Sequence, residues 1–147
     1  MSVKKTSASK TNEWGVAPYP IKKGEAYMSK KQREHFETIL RTWKAHLMSE
    51  VDATVNHLKQ EHAFYPDPVD QASQEEEFRL ELRTRDRERH LIHKIDEALL
   101  SLDKGVYGFC EDCGAEIGVR RLEARPTATK CIDCKTIEEI REKQTQL

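Results

Sequence analysis

Tyr65-Pro66-Asp67-Pro68-Val69-Asp70 decides how this chain must be arranged. A proline cannot continue the helix that precedes it, and the residue ahead of a proline is pushed out of the α region. Two prolines around Asp67 therefore force a break. The same six residues also carry the signals that start a new helix. Asp67 suits the N-cap, Pro68 suits the first helical position, and Asp70 falls where a carboxylate can reach back to free backbone N–H groups. Long, heavily charged stretches of helical character lie on either side. The six residues read as the turn of a helical hairpin, with two carboxylates at a tip spanning 65–72.

Toward the N terminus, Phe36, Leu40, Trp43, Leu47, Val51 and Leu58 recur at three-, four- and seven-residue steps, which places them on one helical face. Ser29 and Gln32 have the spacing of a capping box. A first helix is expected from about Lys30 to about Ala63, on the order of 50 Å long at about 1.5 Å per residue. Toward the C terminus, Ala72, Phe78 and Leu82 restart the apolar pattern, and Ile92, Ile95, Leu99 and Leu102 finish it before Gly105 and Gly108. Between them, residues 83–89 contain almost nothing apolar. They read either as a solvated face of Glu–Arg pairs or as arginines reserved for another use. Arms of similar length joined by a short turn must run antiparallel. A two-helix rod buries little, so its open end needs a base.

The last segment supplies one. Cys110, Cys113, Cys131 and Cys134 follow the pattern C-x2-C-x17-C-x2-C. Two residues between paired thiolates let both sulfurs face one point about 2.3 Å away, and two such turns complete a tetrahedron. All four cysteines are used and no position is left for water or substrate, which points to one structural Zn2+ and away from zinc catalysis. Ile117 and Leu122 are candidates to pack under the metal, with Arg120, Arg121 and Arg125 outside. Ile137 and Ile140 among charged neighbours predict a short amphipathic helix from about Ile132 to Lys143, lying back against the base.

Composition agrees with an elongated molecule. Of 147 residues, 37% are hydrophobic and 35% charged, against a usual charged fraction of about 25%, which leaves little for one large core. The expected parts are an irregular segment 1–28, partly packed on the base, in which Trp14 and Val16 are the candidate docking residues; the coiled-coil hairpin 29–104; and the zinc-finger region with its C-terminal helix, 105–147. The 25 basic and 26 acidic residues nearly cancel overall. Within 1–27, 28–104 and 105–147 they number 5 and 2, 13 and 16, and 7 and 8. No basic stripe marks a nucleic-acid surface. No apolar run approaches the roughly 18 residues of a membrane span, and residues 1–27 lack a secretory core. The reading is cytoplasmic, where thiols serve as metal ligands rather than disulfides.

Several of these stretches together resemble the DksA/TraR family of bacterial RNA polymerase-binding transcription factors. They are Gly108-Phe109-Cys110-Glu111-Asp112-Cys113-Gly114, Ile117 through Pro126, Cys131-Ile132-Asp133-Cys134-Lys135, Pro66 through Asp70, and Arg85-Asp86-Arg87-Glu88-Arg89. The likeness runs from about residue 25 to the C terminus. It implies a mainly α protein whose coiled coil enters the secondary channel of RNA polymerase while the zinc domain stays at the rim. It implies destabilised open promoter complexes, with ribosomal RNA promoters repressed and some biosynthetic promoters activated in synergy with (p)ppGpp. Carried over by position, the polymerase-binding tip is Asp67, Asp70 and Ala72, the coiled-coil contact is Arg87, and the (p)ppGpp positions are Leu91, Lys94, Arg125 and Lys135. No DNA is bound and a single copy acts. His90 and His93 stand where lysine is expected, so acidification from pH 8 to 6 should tighten binding modestly. No role is assigned to residues 1–24.

Three other readings compete. A zinc-ribbon nucleic-acid-binding regulator with a helical dimerisation arm would show a basic surface and steep salt dependence, which the balanced charge opposes. An enzyme using Asp67 and Asp70 as an acid–base pair would need a pocket that excludes water, and a turn at the end of a rod has none. A transcript-cleavage factor also presents an acidic hairpin, but the zinc base and the likeness favour the family above.

Overall fold

The computed structural model describes residues 15–60 and 67–146. Four helices follow in order: α1 (Lys30–Gln60), α2 (Pro68–Lys104), α3 (Val119–Ala124) and α4 (Ile132–Thr145). The end of the first helix expected near Ala63, the turn residues Tyr65 and Pro66, and Trp14 lie outside the described residues; Val16 is half-buried.

Both long helices start as their sequences dictate. Asp67 is the N-cap of α2: its Oδ1 accepts the N–H of Val69 at 3.0 Å, and its carbonyl accepts that of Gln71 at 3.0 Å. Pro68 is the first helical residue, where its missing N–H costs nothing. At α1, Ser29 Oγ accepts the N–H of Gln32 at 3.4 Å. Gln32 reaches back to Met28 N–H at 2.8 Å rather than to that of Ser29, which is taken by Ala26 O at 3.2 Å. The capping box is thus displaced by one residue. Met28, at φ 53°, turns the chain so that its amide meets the buried Gln32 side chain.

The chain divides into two compact units. One contains the described residues up to Leu40 and those from Ala98 onward; the other is Arg41–Glu97. Within Arg41–Glu97, Lys44 pairs with Asp96 at 2.6 Å and His57 with Glu81 at 3.3 Å. Number rises on one helix as it falls on the other, so the segments are antiparallel. Leu47 and Ile95 are buried. Apart from Leu91, the least exposed positions of α2 here are Gln74, Phe78, Glu81, Arg85, Glu88, Ile92 and Ile95, at alternating steps of four and three, the period of a coiled-coil seam. Ala72 and Leu82, which the sequence placed in the apolar pattern, are both exposed, Leu82 by 41%. The register set by Phe78, Ile92 and Ile95 gives the seam to Glu81 and turns its neighbour Leu82 about 100° away.

The other unit has its own core of Phe36, Ile39, Leu40, Leu102, Tyr107, Ile117, Val119, Leu122 and Pro126. Tyr107 Oη donates to Pro126 O at 2.6 Å. Tyr27 Oη donates to Gly108 O at 2.7 Å and accepts Gly118 N–H at 3.0 Å, which ties the segment before α1 to the metal-binding loop. Gly108 is required there, because at φ 87° an added Cβ would meet Met28 Sδ and Tyr27 Oη, each at 3.0 Å.

Two details depart from the sequence reading. The short helix α3 was not anticipated. In α4 no residue is buried, and Ile132, Ile137 and Ile140 are exposed by 65, 50 and 51%. Instead of lying back on an apolar face, α4 is fastened at its N-terminal half by the metal-site cysteines and by ion pairs.

Candidate metal centre and charged surfaces

The four cysteine sulfurs lie within 4.8 Å of one another. Cys113 Sγ and Cys131 Sγ are 3.6 Å apart, close to the about 3.8 Å edge of a tetrahedron with 2.3 Å zinc–sulfur bonds. The first pair sits on a tight loop closed by Cys110 N–H to Ala115 O at 2.8 Å, Gly114 N–H to Cys110 O at 3.0 Å and the bridge between Phe109 and Glu116. The second pair opens α4. Cys131 is its N-cap, its sulfur accepting the Cys134 N–H at 3.5 Å, so the positive end of the helix faces the sulfurs.

Electrostatics at the sulfurs call for a cation. Backbone N–H groups, that of Cys113 first, bring the Cys110 thiol down to about 6. The Cys134 thiol is instead pushed up, first by Cys131 and then by Cys113 and Cys110. Four sulfurs this close cannot all carry charge unless a cation sits among them. The donor set fits a structural zinc, and because four sulfurs fill its tetrahedron it offers no open position for catalysis. Ile117 and Leu122, expected near the metal, are buried; Arg120 and Arg125 are exposed, while Arg121 is half-buried and donates from Nε to Lys130 O at 3.3 Å.

The remaining sequence-predicted positions fall in both units. In Arg41–Glu97, Asp67, Asp70 and Ala72 are exposed on the first turns of α2 beside Val69, itself 71% exposed. Arg87 and Lys94 are exposed and Leu91 is half-buried. His90 and His93 are exposed, and His93 lies 3.1 Å from Glu97. In the other unit Arg125 is exposed and Lys135 half-buried.

Sequence reasoning missed three charged clusters. Glu138 accepts from Lys130 and from Lys135, each at 2.8 Å, and Lys130 reaches Asp112 at 3.3 Å. These lysines, Lys130 first, hold the Glu138 carboxyl down at about 2. In the seam, burial and then the Glu50 carboxylate push Glu88 up, against a smaller pull from His46. Arg85 Nε and Glu88 Oε2 are buried there without a hydrogen-bond partner in the protein. Near α3, His35 Nε2 lies 3.5 Å from Glu123 Oε1, which also accepts the Tyr19 N–H at 2.6 Å. Burial lowers the His35 pKa despite that carboxylate. The seam cluster was within reach of the sequence, because Glu81, Arg85 and Glu88 continue the four–three spacing of the apolar residues. The other two depend on residues distant in the chain, Asp112 in the first and His35 with Glu123 in the second.

A helical hairpin whose second arm starts on exposed carboxylates, combined with a closed four-cysteine centre, defines a helical zinc-finger protein. The chain belongs to the DksA/TraR zinc-finger family: residues 32–102 match the DnaK suppressor protein DksA N-terminal domain, and residues 105–139 match the prokaryotic dksA/traR C4-type zinc finger. It is 60% identical over 130 residues to the RNA polymerase-binding transcription factor DksA of Salmonella typhimurium and to that of Escherichia coli K12, covering 88% of this chain and 86% of each relative. The Haemophilus influenzae protein of the same name is 56% identical over 130 residues, 88% of this chain and 90% of its own. Among solved structures, that of transcription factor DksA2 from Pseudomonas aeruginosa aligns with TM-score 0.75 and 40% identity over 80% of this chain and 91% of that one.

Proposed function

We propose that this chain is a transcription factor that binds bacterial RNA polymerase in the cytoplasm as a monomer, without binding DNA. Its hairpin enters the secondary channel and destabilises open promoter complexes. With (p)ppGpp it represses ribosomal RNA promoters and activates some biosynthetic ones. The observation that carries this reading is the start of α2, where Asp67 and Asp70 stand exposed beside Val69. Carboxylates on such a turn are built to be presented to another molecule, and kinship with polymerase-binding factors supplies the molecule. Arg87 extends the contact along α2. Leu91, Lys94, Arg125 and Lys135 are the positions assigned to the alarmone, whose phosphates suit cationic side chains. Zinc, held by Cys110, Cys113, Cys131 and Cys134, supplies structure alone.

Multi-round transcription from a ribosomal RNA promoter tests the reading. Wild type is compared with Asp67→Asn/Asp70→Asn at matched polymerase occupancy, with and without (p)ppGpp. The expected result is repression by wild type and its loss in the variant while binding persists. Full repression by the variant would reduce both aspartates to helix-starting residues, and no repression by wild type would sink the function.

A further inference from the structure

We propose that Glu138 is an internal competitor for the Lys135 ammonium and so sets how tightly this chain holds a phosphate-bearing ligand there. The inference rests on the assignment of Lys135 to the alarmone. It adds a residue that the assignment does not contain.

Lys135 is about one-third exposed, and its Nζ lies 2.8 Å from Glu138 Oε2. A phosphate approaching Lys135 therefore meets a neutral pair instead of a free cation. The second carboxylate oxygen, Oε1, is 2.8 Å from Lys130 Nζ, which also reaches Asp112 Oδ2 at 3.3 Å. Counting formal charges, the two lysines and two acids cancel. The arrangement is graded, however. Glu138 can release Lys135 and remain paired with Lys130, so freeing the cation does not strand a carboxylate. Lys130 thereby acts as a positioning residue that keeps Glu138 partnered when Lys135 is drawn to a ligand.

The size of the effect follows from exposure. Glu138 is about as open to solvent as Lys135, and ion pairs at such sites change affinity by roughly one-and-a-half- to fivefold. Glu138 then tunes binding and does not abolish it.

The test measures equilibrium binding of radiolabelled ppGpp to the complex of full-length protein with RNA polymerase, after subtraction of polymerase alone. The variants are Glu138→Gln, Lys130→Met, Lys135→Ala and Glu138→Gln/Lys135→Ala, each checked for bound zinc and melting temperature. The expected results are roughly one-and-a-half- to fivefold tighter binding by Glu138→Gln, similar weakening by Lys130→Met, and no gain from Glu138→Gln once Lys135 is alanine. A purely structural ion pair would instead lower the melting temperature and weaken binding. If Lys135→Ala binds as well as wild type, the alarmone assignment of Lys135 fails and the proposal with it. If Lys135→Ala weakens binding but Glu138→Gln does not tighten it, or tightens it equally without Lys135, the competition is refuted and the assignment stands. Unchanged binding by Lys130→Met overturns the role given to Lys130.

Discussion

Asp67 does two things that can be separated by changing one atom. Its Oδ1 accepts the Val69 N–H, a bond that asparagine can also accept, while its negative charge lies exposed at the start of α2. Asp67→Asn is therefore expected to keep the melting temperature and lose repression, whereas Asp67→Ala should also cost about 1 kcal/mol through the lost cap. Chemical denaturation of both variants, read beside transcription, checks this; equal destabilisation by Asn and Ala would mean that the cap depends on charge. This residue was legible in the sequence because capping is local, the aspartate and the amide that donates to it being two positions apart. Ser29 and Gln32 were legible for the same reason, up to a slip of one residue caused by the backbone at Met28. Glu138 was not. Lys135 lies one helical turn before it on α4, but Lys130 is brought to it from outside that helix, and an acid with several lysines nearby in sequence has no unique mate.

Helix α2 shows what apolar periodicity can and cannot locate. The long arms and their break followed from spacing and two prolines, yet the stretch 83–89 looked empty because only apolar residues were counted. In the structure Glu81, Arg85 and Glu88 continue the seam, with Arg85 Nε and Glu88 Oε2 buried and lacking protein partners. Charged groups in such a position are retained at a cost to stability. Glu88→Leu is accordingly expected to stabilise the arm by about 1 kcal/mol, the scale of partial burial of a leucine, and Glu88→Gln by less. Denaturant titration reads the effect; destabilisation by Glu88→Leu would show that the seam depends on its carboxyl group. The metal segment was legible from cysteine spacing alone, but the failure of α4 to bury Ile137 and Ile140 was not, since an amphipathic pattern does not say whether anything covers it. Metal removal by a chelator should cost helix signal from α4, whose N-cap is the ligand Cys131, while α1 and α2 between Arg41 and Glu97 persist; loss of all helix together would show that the metal stabilises the arm as well.

At the scale of the molecule, the two compact units should respond to acid in opposite senses. His35 belongs to the unit that holds the metal segment, and burial sets its pKa below the ordinary histidine value. A lowered base pKa gives stability that is complete above the unfolded value of about 6.5 and is lost as pH falls toward the folded one. Glu88 belongs to Arg41–Glu97, and burial, followed by Glu50, sets its pKa above the ordinary glutamate value. A raised acid pKa gives stability that is complete below about 4.3 and is lost as pH rises through the folded value. Going from pH 7.5 to 4.5 should therefore loosen the metal-bearing unit and tighten the arm. Hydrogen exchange corrected for intrinsic rates resolves the two, with amides near Phe36 and Leu122 losing protection while those near Leu47 and Glu88 gain it. His35→Gln should flatten the first slope only, and Glu88→Gln the second only. Slopes of the same sign in both units, or slopes that survive both substitutions, would show that neither group governs the response. The opposition matters for function because the arm carries the tip aspartates and the other unit carries Lys135. A shift in pH then moves the stability of the two parts of the proposed polymerase surface in contrary directions, which a net charge of -1 could never reveal.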